Sequence, residues 1–216
     1  MIPRLKEKYK NEIIKNLMSK LNYKNTYAVP KIEKIVINMG LGADASDKKK
    51  IKSSIQDISA ITGQHPIVTK FKKSISNFKS RKGASAGLKV TLRNNRMYEF
   101  IDRMVNIALP RIKDFKGLKE SSCDKFGNFS FGIKEHIIFP EINFDKVDSI
   151  KGLDVTIVTT SKSKEDTILL LKEFNFPIIK TLEKKIKKVK EVKKVEKVEK
   201  VEKTEKVEKT EKGKNG

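Results

Sequence analysis

Four segments of this chain alternate apolar and polar residues with a period of two, which commits it to a sheet buried on one face only. Ile35, Ile37 and Met39 oppose Lys34, Val36 and Asn38, and Leu88, Val90 and Leu92 oppose Lys89, Thr91 and Arg93. Phe129, Phe131 and Ile133 oppose Ser130, Gly132 and Lys134, while Leu153, Val155 and Ile157 oppose Asp154, Thr156 and Val158. Successive side chains of a strand point to opposite faces, and strands covered on both sides read instead as continuous apolar runs. A shorter fifth strand is expected at Ile67–Phe71, with Phe71 closing a core strand.

Helical periodicity supplies the second layer. Leu5, Tyr9, Ile13, Leu17 and Leu21 recur every four residues behind Pro3, which predicts an amphipathic helix over residues 3–22. Ile51, Ile55 and Ile58 predict a second helix from an N-cap at Ser46 to Thr62, stopped by Gly63. A third starts near Asn94 or Asn95, carries Tyr98, Ile101 and Val105, and should end before Pro110. A fourth opens on Ser163-Lys164-Glu165-Asp166, which fits a capping box, and closes before Pro177. The expected fold is α+β: a mainly antiparallel five-stranded sheet, helices on one face, and an open polar and basic face suited to RNA.

Charge narrows the partner class. Between Asp57 and Glu99 lie 41 residues with no acid and nine bases, six of them within Lys70–Lys82. Mutual repulsion there costs folding energy unless a polyanion neutralises it. The net charge is +22; residues 180–216 hold 15 Lys and 8 Glu, so residues 1–179 keep a net +15 and are basic by themselves. Lys70–Gly87 reads as a long basic hairpin loop, its bland alternative being a solvated loop with accidental charge. Gly83 and Gly87 permit close approach to a phosphate chain, and Phe78 either stacks on a base or tucks under the loop. From Lys180 a Lys/Glu/Val repeat takes over, whose valines step about 300° around a helix and build no buried stripe. Residues 1–179 are therefore the expected domain and 180–216 a solvated tail, disordered or partly helical.

Other chemistries find little support. Cys123 is the sole cysteine, which excludes an intrachain disulfide and a cysteine zinc cluster and fits a reducing cytosol. MIPRLKEKYKNEIIK lacks the apolar stretch of a secretory signal, and no apolar run approaches the ~18 residues of a membrane span. Gly40-Leu41-Gly42-Ala43-Asp44-Ala45 fits a dinucleotide-binding turn, but the ribose-binding acid ~20 residues on would fall in the acid-free stretch. A tight strand-to-helix turn explains those glycines. His65 and His136 are the only histidines, and His136 reads as structural or RNA-facing. With no supported nucleophile–base pair, no catalysis, metal, cofactor or small-molecule substrate is expected. Acids gather at Glu135–Asp154, either as a solvated loop or as a surface for a basic protein.

The wording of longer segments is more specific. KIEKIVINMGLG (31–42), TGQHPIVTK (62–70), SRKGASAGLKVTLR (80–93), ALPRIKDFKGL (108–118) and FPEINFDKVDSIKGLDVTIVTT (139–160) resemble the bacterial large-subunit ribosomal protein L5 family. The resemblance covers residues 1–179 nearly without gaps and fails at the tail. It implies a non-enzymatic, cytoplasmic protein that binds 5S rRNA in the central protuberance and touches large-subunit rRNA and other 5S rRNA-associated proteins. It implies 5S rRNA binding at Asn38, Gln64 and Thr91, and Lys89 and Arg93 share a strand face with Thr91. It makes the loop bearing Lys72, Lys73, Ser76, Phe78, Lys79, Arg81 and Lys82 the element facing P-site tRNA. It implies a bridge to a protein of the small-subunit head, for which Glu135, Glu141, Asp145 and Asp148 are the candidates. The rival reading is a general RNA-binding or chaperone protein acting through its basic tail.

Overall fold

Five strands, β1 (Ile32–Gly40), β2 (Ile67–Lys70), β3 (Ser85–Leu92), β5 (Phe129–Ile133) and β6 (Leu153–Thr159), form one sheet in the order β2-β3-β1-β6-β5. Every neighbouring pair is antiparallel. The short β4 (Leu118–Lys119) and β7 (Ile178–Ile179) make a separate ribbon, where the Leu118 N–H donates to the Pro177 carbonyl at 2.8 Å. The computed structural model describes residues 2–78, 80–144 and 147–179. Lys79, Asp145 and the expected tail lie outside the described residues.

The period-two pattern becomes a buried face. Ile35, Ile37, Met39, Leu88, Val90, Leu92, Val155 and Ile157 are all at most 2% exposed and share one core with the helices. Phe71 departs from the expectation. A register shift between Thr69 and Lys70 ends β2 early, so the alternation does not carry through. Phe71 is half-buried and starts the loop, its N–H donating to the Ala84 carbonyl and its carbonyl accepting from the Gly83 N–H, both at 2.9 Å.

Among the described residues, four helical rods cover the buried face. The first, α1, joins α-helical Arg4–Lys8, a π-helical turn Tyr9–Ile13 and α-helical Ile14–Leu21. The second, α2 (Lys48–Thr62), is capped by Asp47 rather than Ser46: the Asp47 carboxylate accepts from the Lys49 N–H at 2.8 Å. A 3-10 turn over Gly42–Ser46 absorbs Ser46 and delays the helix by one residue. The third, α3, runs through Asn94–Arg103, a π-helical stretch Met104–Ala108, and Leu109–Arg111. It therefore passes through Pro110 instead of ending before it. The widened π turn just ahead relieves the collision between a proline ring and the carbonyl four residues back. The fourth, α4 (Lys164–Glu173), starts as expected, with the Ser163 hydroxyl accepting from the Asp166 N–H at 3.2 Å.

The rods α1, α3 and the end of α4 lock to one another through Tyr9, Tyr98 and Phe174, whose ring centroids lie 5.9 to 6.4 Å apart. Ion pairs Arg4–Asp102 at 2.7 Å and Lys20–Glu173 at 2.5 Å close the helical layer at its surface. With the helices all on one side, the polar halves of the strands face away from the core.

Candidate nucleic-acid interface

Register turns those polar halves into rows. Ile67 on β2, Lys89 on β3, Asn38 on β1, Asp154 on β6 and Gly132 on β5 lie side by side across the sheet. The next row holds Thr91, Val36, Thr156 and Ser130. Arg93 keeps an extended backbone (φ −138°, ψ 165°) and carries the alternation past Leu92, on the face that Lys34 also occupies. Gly87 lets β3 lie close against β1, since a Cβ there would sit 2.7 Å from the Met39 carbonyl oxygen.

The face is polar with a positive excess. Lys34, Lys89 and Arg93 have no ion-pair partner among the described residues. Asp154, the acid in the first row, accepts from the Asn38 side-chain amide at 3.5 Å, and the Ser130 and Thr156 hydroxyls share a hydrogen bond at 3.1 Å. Gln64 sits half-buried in the turn leading to β2, where its N–H donates to the Thr62 hydroxyl at 3.2 Å and its carbonyl accepts from it at 3.0 Å. The register thus gathers Asn38, Lys89, Thr91 and Arg93 on one surface, with Gln64 three residues before its outer strand. Lys34 and Ile67, the latter 72% exposed, belong to the same surface. The alternation already paired Lys34 with Asn38; the place of Ile67 beside Lys89 needed the register.

The loop after β2 is a second basic element. Its waist is a bridge between Ile75 and Ser80, closed by two backbone hydrogen bonds of 3.1 and 3.2 Å. The Ser74 hydroxyl accepts from the Lys82 N–H at 2.9 Å, so the arms are tied while Lys72, Lys73, Arg81 and Lys82 stay exposed. Ser76–Phe78 forms the tip as one 3-10 turn. Phe78 is 78% exposed, which answers the open question: it is presented, not tucked under.

Groups with other sequence-level readings settle into structural places. Both neighbours of β1 are antiparallel, so Gly40–Ala45 lacks the parallel crossover a dinucleotide site requires. His136 is fully buried. Its Nδ1 lies 3.1 Å from the Lys151 backbone nitrogen and 3.2 Å from the Lys151 carbonyl oxygen, and its Nε2 lies 3.7 Å from an Asp57 carboxylate oxygen. Burial holds His136 below its ordinary pKa and Asp57 above its own. Cys123 is buried and its thiol pushed up by that burial, which leaves it unreactive. Of the acids, Glu135 and Asp148 are exposed, whereas Glu141 accepts from the Arg103 guanidinium at 2.6 Å.

Fold and surface together give an α+β layer with an open, basic sheet face and a tied basic arm. Sequence comparison then supplies the family. Residues 25–81 match the profile of ribosomal protein L5, and residues 85–178 match the ribosomal L5P family C-terminus. The large ribosomal subunit protein uL5 of Pelagibacter ubique is 63% identical over 180 residues, covering 83% of this chain and 98% of the relative. The proteins of the same name from Desulforamulus reducens and Moorella thermoacetica are 52% identical over 177 residues and 53% over 174, covering 82% and 81% of this chain and 98% and 97% of the relatives. The chain belongs to the ribosomal protein L5 family, a family of structural rather than enzymatic proteins. Both profile matches end by residue 178, short of the Lys/Glu/Val repeat.

Proposed function

We propose that this chain, a cytoplasmic structural constituent of the large ribosomal subunit, holds 5S rRNA against the open face of its sheet within the central protuberance. The observation that carries the reading is the row in which Lys89 lies directly opposite Asn38, with Thr91 and Arg93 on the same face. Asn38, Gln64 and Thr91 offer neutral donors and acceptors that fix RNA shape, while Lys89 and Arg93 neutralise phosphates. The basic arm, with Phe78 at its tip, reaches the P-site tRNA. The exposed acids Glu135 and Asp148 meet a basic protein of the small-subunit head; Glu141 is already paired with Arg103. Other surfaces of the domain touch large-subunit rRNA and neighbouring 5S rRNA-associated proteins. Residues 1–179 carry specificity, and 180–216 add general attraction to RNA.

A competition assay tests this. Labelled 5S rRNA on the protein is challenged with unlabelled tRNA and bulk rRNA fragments at near-physiological salt. Selective retention of 5S rRNA is the expected result. Displacement by any RNA would mean a merely electrostatic binder and would remove the sheet assignments.

A further inference from the structure

A groove of about 660 Å³ opens where α1 and the first turn of α3 meet the segment leading into β1. It is not part of the sheet face or the basic arm. Its floor is apolar and aromatic, built from Tyr9, Val29, Met97 and Tyr98, each at most 8% exposed. Its rim carries Lys10 and Lys31, both exposed, and Lys6, against one acid, Glu33. Tyr27 stands at the edge, 95% exposed. A side chain of that size is normally buried at least in part, yet this one is held out by a built turn. The Asn25 side chain accepts from the Tyr27 N–H at 2.9 Å, and the Asn25 carbonyl accepts from the Ala28 N–H at 3.1 Å. The result is an aromatic ring presented on a hydrogen-bonded turn, an apolar slot beside it, and a cationic rim.

We infer that this groove is a second RNA site, which takes an unpaired nucleotide by stacking its base on Tyr27 and pairing its flanking phosphates with Lys10 and Lys31. The occupant follows from charge complementarity: three lysines against one glutamate disfavour a basic or neutral peptide and suit a polyanion. The aromatic edge suits a base that has left its stack, because every base has a π-face, whereas paired RNA shows only backbone and groove edges. This inference rests on the reading of the chain as an rRNA-binding protein and adds a site that is independent of the sheet.

The test uses the full-length protein and a short single-stranded RNA carrying one 2-aminopurine, whose fluorescence is quenched when it stacks. Tyr27 is almost wholly exposed, so replacing it leaves the core untouched. Tyr27→Ala should weaken binding about tenfold and abolish the quench, and Tyr27→Phe should restore both. Lys10→Ala with Lys31→Ala should make the salt dependence shallower by about 1.4 in log–log slope. An RNA abasic at the labelled neighbour's position should bind as before, and one abasic at the reporter position should lose affinity as Tyr27→Ala does. Lys89→Ala with Arg93→Ala should leave the quench intact, and 5S rRNA selectivity, measured separately, reports on the sheet. An unchanged quench in Tyr27→Ala, or its loss in the Lys89/Arg93 variant, would overturn the proposal even where 5S rRNA binding holds.

Discussion

Gly87 shows how one missing side chain shapes the sheet. A β-carbon at this position would lie 2.7 Å from a backbone oxygen of the neighbouring strand, and backbone in mid-sheet cannot swing away. Gly87→Ala should cost about 1–3 kcal/mol, read as a lower urea midpoint with an unchanged m-value. His136 gives the chain a pH dependence. Its folded pKa lies below the ordinary 6.5 because burial disfavours the charged ring, despite the attraction of Asp57. The associated stability is therefore fully present above pH 6.5 and lost as pH falls through the folded value, since the unfolded chain takes up the proton first. Asp57, raised by burial, works in the opposite sense at the acid end. His136→Gln should flatten the fall in unfolding midpoint between about pH 7.5 and about pH 5.5; parallel curves for the two proteins would show that the ring does not titrate.

The proposed function gives strand β3 and the arm that precedes it different tasks, and salt should separate them. If six phosphates are contacted, 5S rRNA affinity should fall by on the order of 10³ over a fourfold rise in salt. Lys89→Ala with Arg93→Ala removes two cations from the sheet face and should make the slope shallower by about 2. Neutralising Lys72, Lys73, Lys79, Arg81 and Lys82 together should leave that slope nearly unchanged and weaken tRNA retention on assembled ribosomes. Equal loss of 5S rRNA affinity in the arm variant would mean that the two surfaces have been exchanged. The basis for the separation is that the arm is closed at Ile75 and Ser80 by its own hydrogen bonds beyond the end of β2, whereas Lys89 lies within the sheet opposite Asn38 and Ile67.

Across the entire chain, positive charge is spread over the domain and its C-terminal repeat, which hold net charges of +15 and +7. General attraction scales with such sums, whereas selectivity needs a fixed surface. Deleting residues 180–216 should therefore lower affinity for every RNA at low salt while 5S rRNA keeps its advantage over tRNA. Loss of that advantage would favour the rival in which the tail does most of the binding.

The period of two in residues 34–39, 88–93, 129–134 and 153–158 was enough to specify a sheet buried on one side, because side-chain direction in a strand depends on local backbone geometry alone. Local caps were nearly as legible: Ser163 and Gly63 stand where expected, and Asp47 displaced Ser46 by a single residue. Pro110 misled, because a proline ends a helix only if the turn before it keeps regular spacing, and the π-helical stretch Met104–Ala108 does not. Phe71 misled because an irregularity in a strand is set by its partner. That Asn38 shares a polar face with Lys34, and Thr91 one with Lys89, was likewise readable from the alternation. Which strands lie side by side was not. The order β2-β3-β1-β6-β5 brings together residues more than a hundred positions apart, such as Asn38 and Asp154, and the slot beneath Tyr27 exists only where three separate segments pack. Long-range pairing is decided by the burial of one shared core, and no local pattern encodes it.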